Sequence, residues 1–304
     1  MSRWWKIVMA TAIMLPLLTI GAGLGFIAKT FGRSTAQKFL AGTFRGTRSR
    51  PLTARRFERT PARLVRGRYL VSGLANCFKC RSQHEPDGET LPAKMGAGTV
   101  ETIPGLGLQI TFPNLTPDVE TGAGSWTDDM FARAIREGIS HDGRALVPIM
   151  RYENFRHMSD EDLAAVVVYL RSIPAVHNPL PQLKLPLLFK LLTKGFPEPL
   201  SEAVVSLDGV DSVRHAEYLT QIGGCEDCHM ATDLKRKEYP YGGGQIIEGD
   251  AGKAAAANLT PDPSGIPFYS DDMFTQTMRT GRVGGVRERS DAVAILRQAE
   301  RRRS

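Results

Sequence analysis

Between Lys6 and Lys29 the chain runs from Ile7 to Ala28 without a charged residue. These 22 residues would make about 33 Å of helix at about 1.5 Å per residue, enough to cross a hydrocarbon core of about 30 Å. Residues 1–30 therefore read as an uncleaved transmembrane anchor, in preference to a cleaved signal peptide, whose apolar core is shorter and ends at a small-x-small site. Trp4 and Trp5 suit a membrane interface, and Pro16 is tolerated in a spanning helix. Beyond the anchor the apolar pattern becomes periodic. Thr60 as N-cap and Pro61 at the first helical position predict a helix running toward Ala75. A second follows Trp126, with Thr127 as cap, Asp128 and Asp129 in the first turn, and Phe131 and Ile135 one turn apart. A third starts at Ser159 and carries Leu163, Val166, Val167 and Leu170 at helical spacing. Strand patterns are scarce, so the pattern predicts an all-α chain with long loops.

Much of this recurs. The stretch from Gly67 to Cys80 parallels Ala216 to Cys228; Asn114-Leu115-Thr116-Pro117-Asp118 returns as Asn258-Leu259-Thr260-Pro261-Asp262; Asp128-Asp129-Met130-Phe131 returns as Asp271-Asp272-Met273-Phe274. The offsets are 148, 144 and 143 residues, which marks a duplicated domain and not a short repeat. Phe274 and Met278 repeat the Phe131 and Ile135 pair. The expected organisation is an anchor at 1–30, a basic juxtamembrane linker at 31–59, a first domain at 60–176, a Pro-rich linker at 177–211 and a second domain at 212–304. Pro179, Pro181, Pro186, Pro197 and Pro199 break any long helix in the second linker. Its apolar stretch from Leu185 to Phe189 reads as a packing strap in preference to a membrane contact.

With 42% hydrophobic and 23% charged residues the chain is globular and can bury more than one core. The net charge of +7 does not signal nucleic acid, because it is local. Residues 43–68 carry nine arginines against Glu58, and residues 286–304 carry six against three acids, which leaves the remainder slightly acidic. The first arginine cluster reads as a solvated juxtamembrane segment, with attraction to anionic lipid heads as its functional version.

The four cysteines fall into two pairs, Cys77/Cys80 and Cys225/Cys228, too few for a disulfide scaffold. Cys225-Glu226-Asp227-Cys228-His229 has the pattern of a c-type haem attachment site. Two thiols three positions apart at a helix end can both reach the vinyl groups of a porphyrin, and the next residue turns its imidazole to the iron. Chance would produce such a motif about once in a thousand chains of this composition. The competing readings are a redox Cys-x-x-Cys and half of a zinc site, although zinc pairs normally lie much closer in sequence.

At these motifs the chain resembles the membrane-anchored di-haem cytochromes c, similar to the cytochrome subunits of membrane alcohol and gluconate dehydrogenases. Further carrying residues are Asn114 to Asp118, Gly122 to Trp126, Ile135 to Arg144, Val147-Pro148-Ile149-Met150 and Met158 to Asp162, and the likeness runs from about residue 60 to 285. The resemblance implies two tandem cytochrome c-like domains, two haems c on Cys77/Cys80 and Cys225/Cys228, and iron ligation by His229. It also implies a sixth ligand from a Pro-x-Met turn between the second and third helices, here Met150, whose soft thioether raises the reduction potential relative to imidazole. Met95, Met130 and Met158 fit that role less well. The implied function is electron transfer, without catalysis, from a periplasmic dehydrogenase toward quinone or a terminal oxidase of a respiratory chain. The implied place is the bacterial inner membrane with the haem domains in the periplasm, although the positive-inside rule alone would draw the arginine cluster to the cytoplasm.

Two departures qualify the resemblance. Arg81 follows Cys80 where the family has histidine, and a guanidinium has no lone pair for iron. His84 could stand in only if the helix end rearranged. The attachment motif is thus complete only at Cys225/Cys228/His229. Second, Met150 maps to Val293, and nothing after Arg287 resembles a ligand turn or third helix. The expectation is a truncated second domain whose tail is a frameshift product, set against a genuine solvated tail. Two other classes stay open: a thiol or metal protein using the Cys-x-x-Cys pairs directly, and a degenerate, partly or wholly haem-free remnant held at the membrane. The other histidines, His141, His157, His177 and His215, read as solvated.

Overall fold

The computed structural model describes residues 46–85, 88–103, 108–206, 211–232, 238–249, 252–283 and 286–287, with Gln37 and Leu40. The span expected at Ile7–Ala28 and the tail beyond Arg287 lie outside them. Among the described residues no helix is long and apolar enough to cross a membrane.

The local signals place the helices. Thr60 Oγ1 accepts from Arg63 N and starts α1, Pro61–Tyr69, which winds on through a π-turn, Leu70–Leu74. The four-residue α2, Cys77–Cys80, follows. An antiparallel ribbon, β1 (Thr99–Ile103) and β2 (Leu108–Phe112), pairs Thr99 with Phe112. Thr127 caps α3, Asp128–Glu137, which stops at Gly138 in the left-handed region at φ 72°. A 3-10 turn, Pro148–Met150, leads into the short α4, Tyr152–Phe155. Ser159 then caps α5, Asp160–Leu170. Each of these hydroxyl caps satisfies an otherwise orphaned backbone donor, an effect of about 1 kcal/mol.

After the apolar α6, Leu187–Thr193, the second copy opens with α7, Ser212–Gly223, and α8, Cys225–His229. Ribbons β3 (Ala231–Thr232) with β4 (Glu238–Tyr239) and β5 (Ile246–Gly249) with β6 (Gly252–Ala255) precede α9, Asp271–Thr280. A last ribbon joins β7 (Arg282–Val283) to β8 (Val286–Arg287). The described chain is therefore helix-rich, as expected for a cytochrome c-like all-α fold. The four two-stranded ribbons, which the sequence reading did not foresee, are its departure from pure helix.

The repeat carries its local geometry with it. Asn114 Oδ1 accepts from Thr116 N at 2.9 Å and Oγ1 at 2.8 Å, and Asn258 Oδ1 accepts from Thr260 N at 2.9 Å and Oγ1 at 2.7 Å. Ser270 caps α9 as Thr127 caps α3, and Gly281 ends it in the left-handed region as Gly138 ends α3.

The core forms where α1 crosses α5, joined by Phe131 of α3: Leu70, Val71, Phe78, Leu163, Val166, Val167 and Leu170 are buried together. Gly67 lets the two helix backbones meet. A Cβ there would overlap the Ala165 carbonyl oxygen and lie 2.6 Å from Tyr169 Cβ. Gly67→Ala should therefore destabilise the fold by about 1–3 kcal/mol through overpacking, despite the better helix propensity of alanine. A thermal melt checks this, and an unshifted midpoint would mean that the crossing is not tight.

Two further segments attach to this core. From α7, Tyr218 and Ile222 are buried within it, and the Tyr218 hydroxyl accepts from Ser159 N at 3.1 Å while donating to Asp162 Oδ2 at 2.6 Å. Residues 46–59, read from the sequence as solvated linker, lie on α3: Arg50 binds Asp129 and Glu137, and Thr53 N and Phe57 N donate to Asp129 and Asp128. Arg50, Thr53 and Phe57 thus tie the stretch before α1 to α3. Glu198 and Val204 make similar ties, with Val204 O accepting from Asp160 N and Glu198 paired to Arg156.

Candidate functional site

The second Cys-x-x-Cys is delivered by a sharp joint. Gly224, at φ 65°, ends α7 and lets Cys225 begin α8 at once. A side chain at Gly224 would collide with the guanidinium of Arg151. Arg151, itself left-handed at φ 58°, donates to Gly223 O at 2.7 Å and pairs with Asp227 at 3.2 Å, and Asn154 Nδ2 adds a bond to Asp227 at 3.1 Å. The segment just after Met150 therefore clamps the cysteine helix of the second copy. Cys225 is half-buried and Cys228 exposed.

His229 closes α8. Its Nδ1 lies 2.7 Å from Ala257 O. A carbonyl can only accept, so Nδ1 carries the proton, and in the neutral ring Nε2 then holds the lone pair, the tautomer that a metal-binding imidazole needs. The donor set of two thiols and an oriented imidazole fits covalent haem c. Cys225 and Cys228 would hold the group by thioether bonds, each S–H adding across a vinyl double bond with no atom lost.

The first copy begins alike, with Cys77 at the start of α2 after Asn76 at φ 46°. Burial pushes the Cys77 thiol up to about 11, and burial raises the Cys80 and Cys225 thiols too. A reactive redox dithiol needs the opposite shift, so these are poor nucleophiles, which counts against a thiol oxidoreductase. Among the described residues no three of His, Cys, Asp or Glu converge to hold a bare metal ion.

Arg81 is 7% exposed and makes two contacts: NH1 donates to Pro113 O at 3.3 Å, and NH2 donates to Met150 Sδ at 2.7 Å. Burial lowers its pKa, opposed by the neighbouring cysteines. Met150 itself lies in the Pro148–Met150 turn between α3 and α5, where the resemblance puts a ligand methionine. His84, the stand-in considered for Arg81, is engaged elsewhere: Nε2 lies 2.7 Å from Lys79 O and Nδ1 3.4 Å from Thr90 Oγ1. Met158 is fully buried in the core.

Comparison with known proteins finds relatives among the cytochrome subunits of dehydrogenases. The chain is 32% identical over 234 residues to a nicotinate dehydrogenase subunit of Pseudomonas putida, covering 70% of this chain and 18% of that protein. It is 28% identical over 267 residues to the fructose dehydrogenase cytochrome subunit of Gluconobacter japonicus, covering 83% and 51%. A diheme cytochrome c-type protein of Cereibacter sphaeroides matches at 25% over 198 residues, 61% and 63% of the two chains. The chain is homologous to cytochrome c subunits of dehydrogenases. No family model matches it. As a cytochrome homologue it spans about half the length of the dehydrogenase cytochrome subunits and under a fifth of the nicotinate dehydrogenase subunit.

In this cytochrome homologue the sequence reading missed the two carbonyls that anchor the position after each Cys-x-x-Cys. Pro113 and Ala257 each stand directly before an Asn-Leu-Thr-Pro-Asp run, so the repeat contained the signal. Arg151, the clamp on α8, had no local signal.

Proposed function

We propose that the chain is an electron carrier, built from two tandem cytochrome c-like units, that holds haem c on Cys225 and Cys228 with His229 as iron ligand. When bound, the haem supplies a one-electron couple at its iron. The chain's residues do the rest. Gly224 lets α8 start abruptly, Arg151 and Asn154 fix it through Asp227, and Ala257 O holds the imidazole in the ligating tautomer. The last contact, 2.7 Å from Nδ1, carries the reading, because it gives the motif the proton arrangement that ligation requires.

The dehydrogenase cytochrome subunits among its relatives support a dehydrogenase as electron donor, and the quinone named for the alcohol dehydrogenase of Gluconobacter oxydans supports quinone as acceptor; a terminal oxidase is the alternative acceptor. Anchoring by Ile7–Ala28 in the bacterial inner membrane, with the cysteine units in the periplasm, completes the proposal. Spectroelectrochemical titration of the full-length protein in detergent tests it. A reversible one-electron wave is expected, and a chain with no visible redox change would overturn the reading.

A further inference from the structure

The first site does not fit the group that the second one fits. Arg81 and His229 hold equivalent places: each follows the second cysteine of its pair, and each donates to the carbonyl just before an Asn-Leu-Thr-Pro-Asp run. His229 uses one nitrogen for that bond and keeps a lone pair on the other. Arg81 uses NH1 for it and sends NH2 to Met150 Sδ, 2.7 Å away. Metal–nitrogen and metal–sulfur bonds are each about 2 Å long, so a nitrogen and a sulfur holding one metal ion between them would stand about 4 Å apart. The contact between Arg81 and Met150 leaves no such space, and the guanidinium has no lone pair to give. The surrounding core is already closed by protein alone, with Leu70, Val71, Phe78 and Phe131 each at most 2% exposed.

We propose that Arg81 closes the first site by bridging Pro113 O and Met150 Sδ, so that the chain carries one haem, at the second site, and keeps Cys77 and Cys80 as a free dithiol. This rests on the reading of Cys225, Cys228 and His229 given above. It makes Met150 a partner of Arg81 and not an iron ligand.

The test uses the full chain, produced in a host that attaches haem c, then reduced, denatured, alkylated and mapped by peptide mass. The expected result is two alkyl groups and no haem on the Cys77–Cys80 peptide, with haem on the Cys225–His229 peptide. Arg81→His should restore the missing imidazole and double the haem per chain. Haem on Cys77 and Cys80 of the unaltered chain overturns the proposal. So does an Arg81→His protein that folds but stays at one haem, since something other than Arg81 would then close the site. If that variant does not fold, the map of the unaltered chain decides alone. Haem on neither peptide of the unaltered chain sinks the second-site reading and the one-haem count with it, which distinguishes that failure from the failure at Arg81.

Discussion

Replacing Cys225 and Cys228 together by alanine should abolish covalent haem in the chain, while the same double replacement at Cys77 and Cys80 should leave the colour and the redox wave unchanged. The asymmetry follows from the residue after each pair. At the second pair an oriented imidazole stands ready, its Nδ1 proton engaged by Ala257 O. At the first pair a buried guanidinium bonds the thioether instead. Without the two thioether bonds, haem held by His229 alone is lost during denaturing electrophoresis, so haem staining reads the result directly. Residual covalent haem in the Cys225/Cys228 variant would place the cofactor at the first pair and reverse the assignment.

Arg50→Ala should destabilise the protein by about 3–5 kcal/mol, the usual cost of stripping one partner from a buried ion pair. Arg50 Nε reaches Glu137 at 2.8 Å while NH1 and NH2 take both oxygens of Asp129 at 2.8 Å. The Asp129 side chain is fully buried and that of Glu137 is 3% exposed, so water cannot take over the missing bonds. At about 2–4 °C per kcal/mol for a unit of this size, the melting midpoint should fall by about 6–20 °C. Arg63→Ala is the contrast. Its bidentate partner Glu161 is 53% exposed, and such pairs are worth about 1 kcal/mol or less.

The Arg50 effect also has a pH signature. Burial works to raise the Asp129 pKa, but the bonds from Arg50 and Thr53 outweigh it and hold the carboxyl below its usual range. A depressed carboxylate contributes its stability above the unfolded pKa, about 4, and loses it as pH falls through the folded value. Glu137 goes the other way, because burial raises its pKa despite Arg50, so it favours the fold while protonated and loses that contribution as pH rises through its folded value. Removing Arg50 makes ionisation of both carboxyls costlier. The gap between variant and parent should be widest near neutrality and narrow below about pH 4. A gap of constant size across that range would show that Arg50 acts by packing alone.

How much of this could be read from sequence depends on the distance between partners. Thr60, Thr127 and Ser159 were readable as caps because each bonds a donor three residues away. Phe131 and Ile135 are buried as their spacing predicts, at 2% and 7% exposure. The matching Phe274 and Met278 are 43% and 39% exposed. Periodicity names the apolar face of a helix and not its partner. Phe131 and Ile135 find theirs in the cluster with Leu163, Val166 and Val167 of α5, and the described residues after α9 include no counterpart of α5. Arg48, Arg56 and Arg59 before α1 are exposed as read, but Arg50 looked solvated because its acids lie far along the chain, Asp129 79 residues and Glu137 87 residues away. The same holds at the sites. Cys225 to His229 is a local motif and was readable whole, whereas Arg81 meets Met150 across 69 residues, and only folding shows that the two touch. The ribbons escaped because strands of two to five residues carry too little alternation to register.

The central claim, that Cys225, Cys228 and His229 hold haem covalently, is tested most directly by a reduced-minus-oxidised visible spectrum of the freshly purified full chain, with pyridine haemochrome quantitation. A red protein whose visible band sharpens on reduction, with one haem per chain, is the predicted result. A colourless protein with all four cysteines open to alkylation would contradict it.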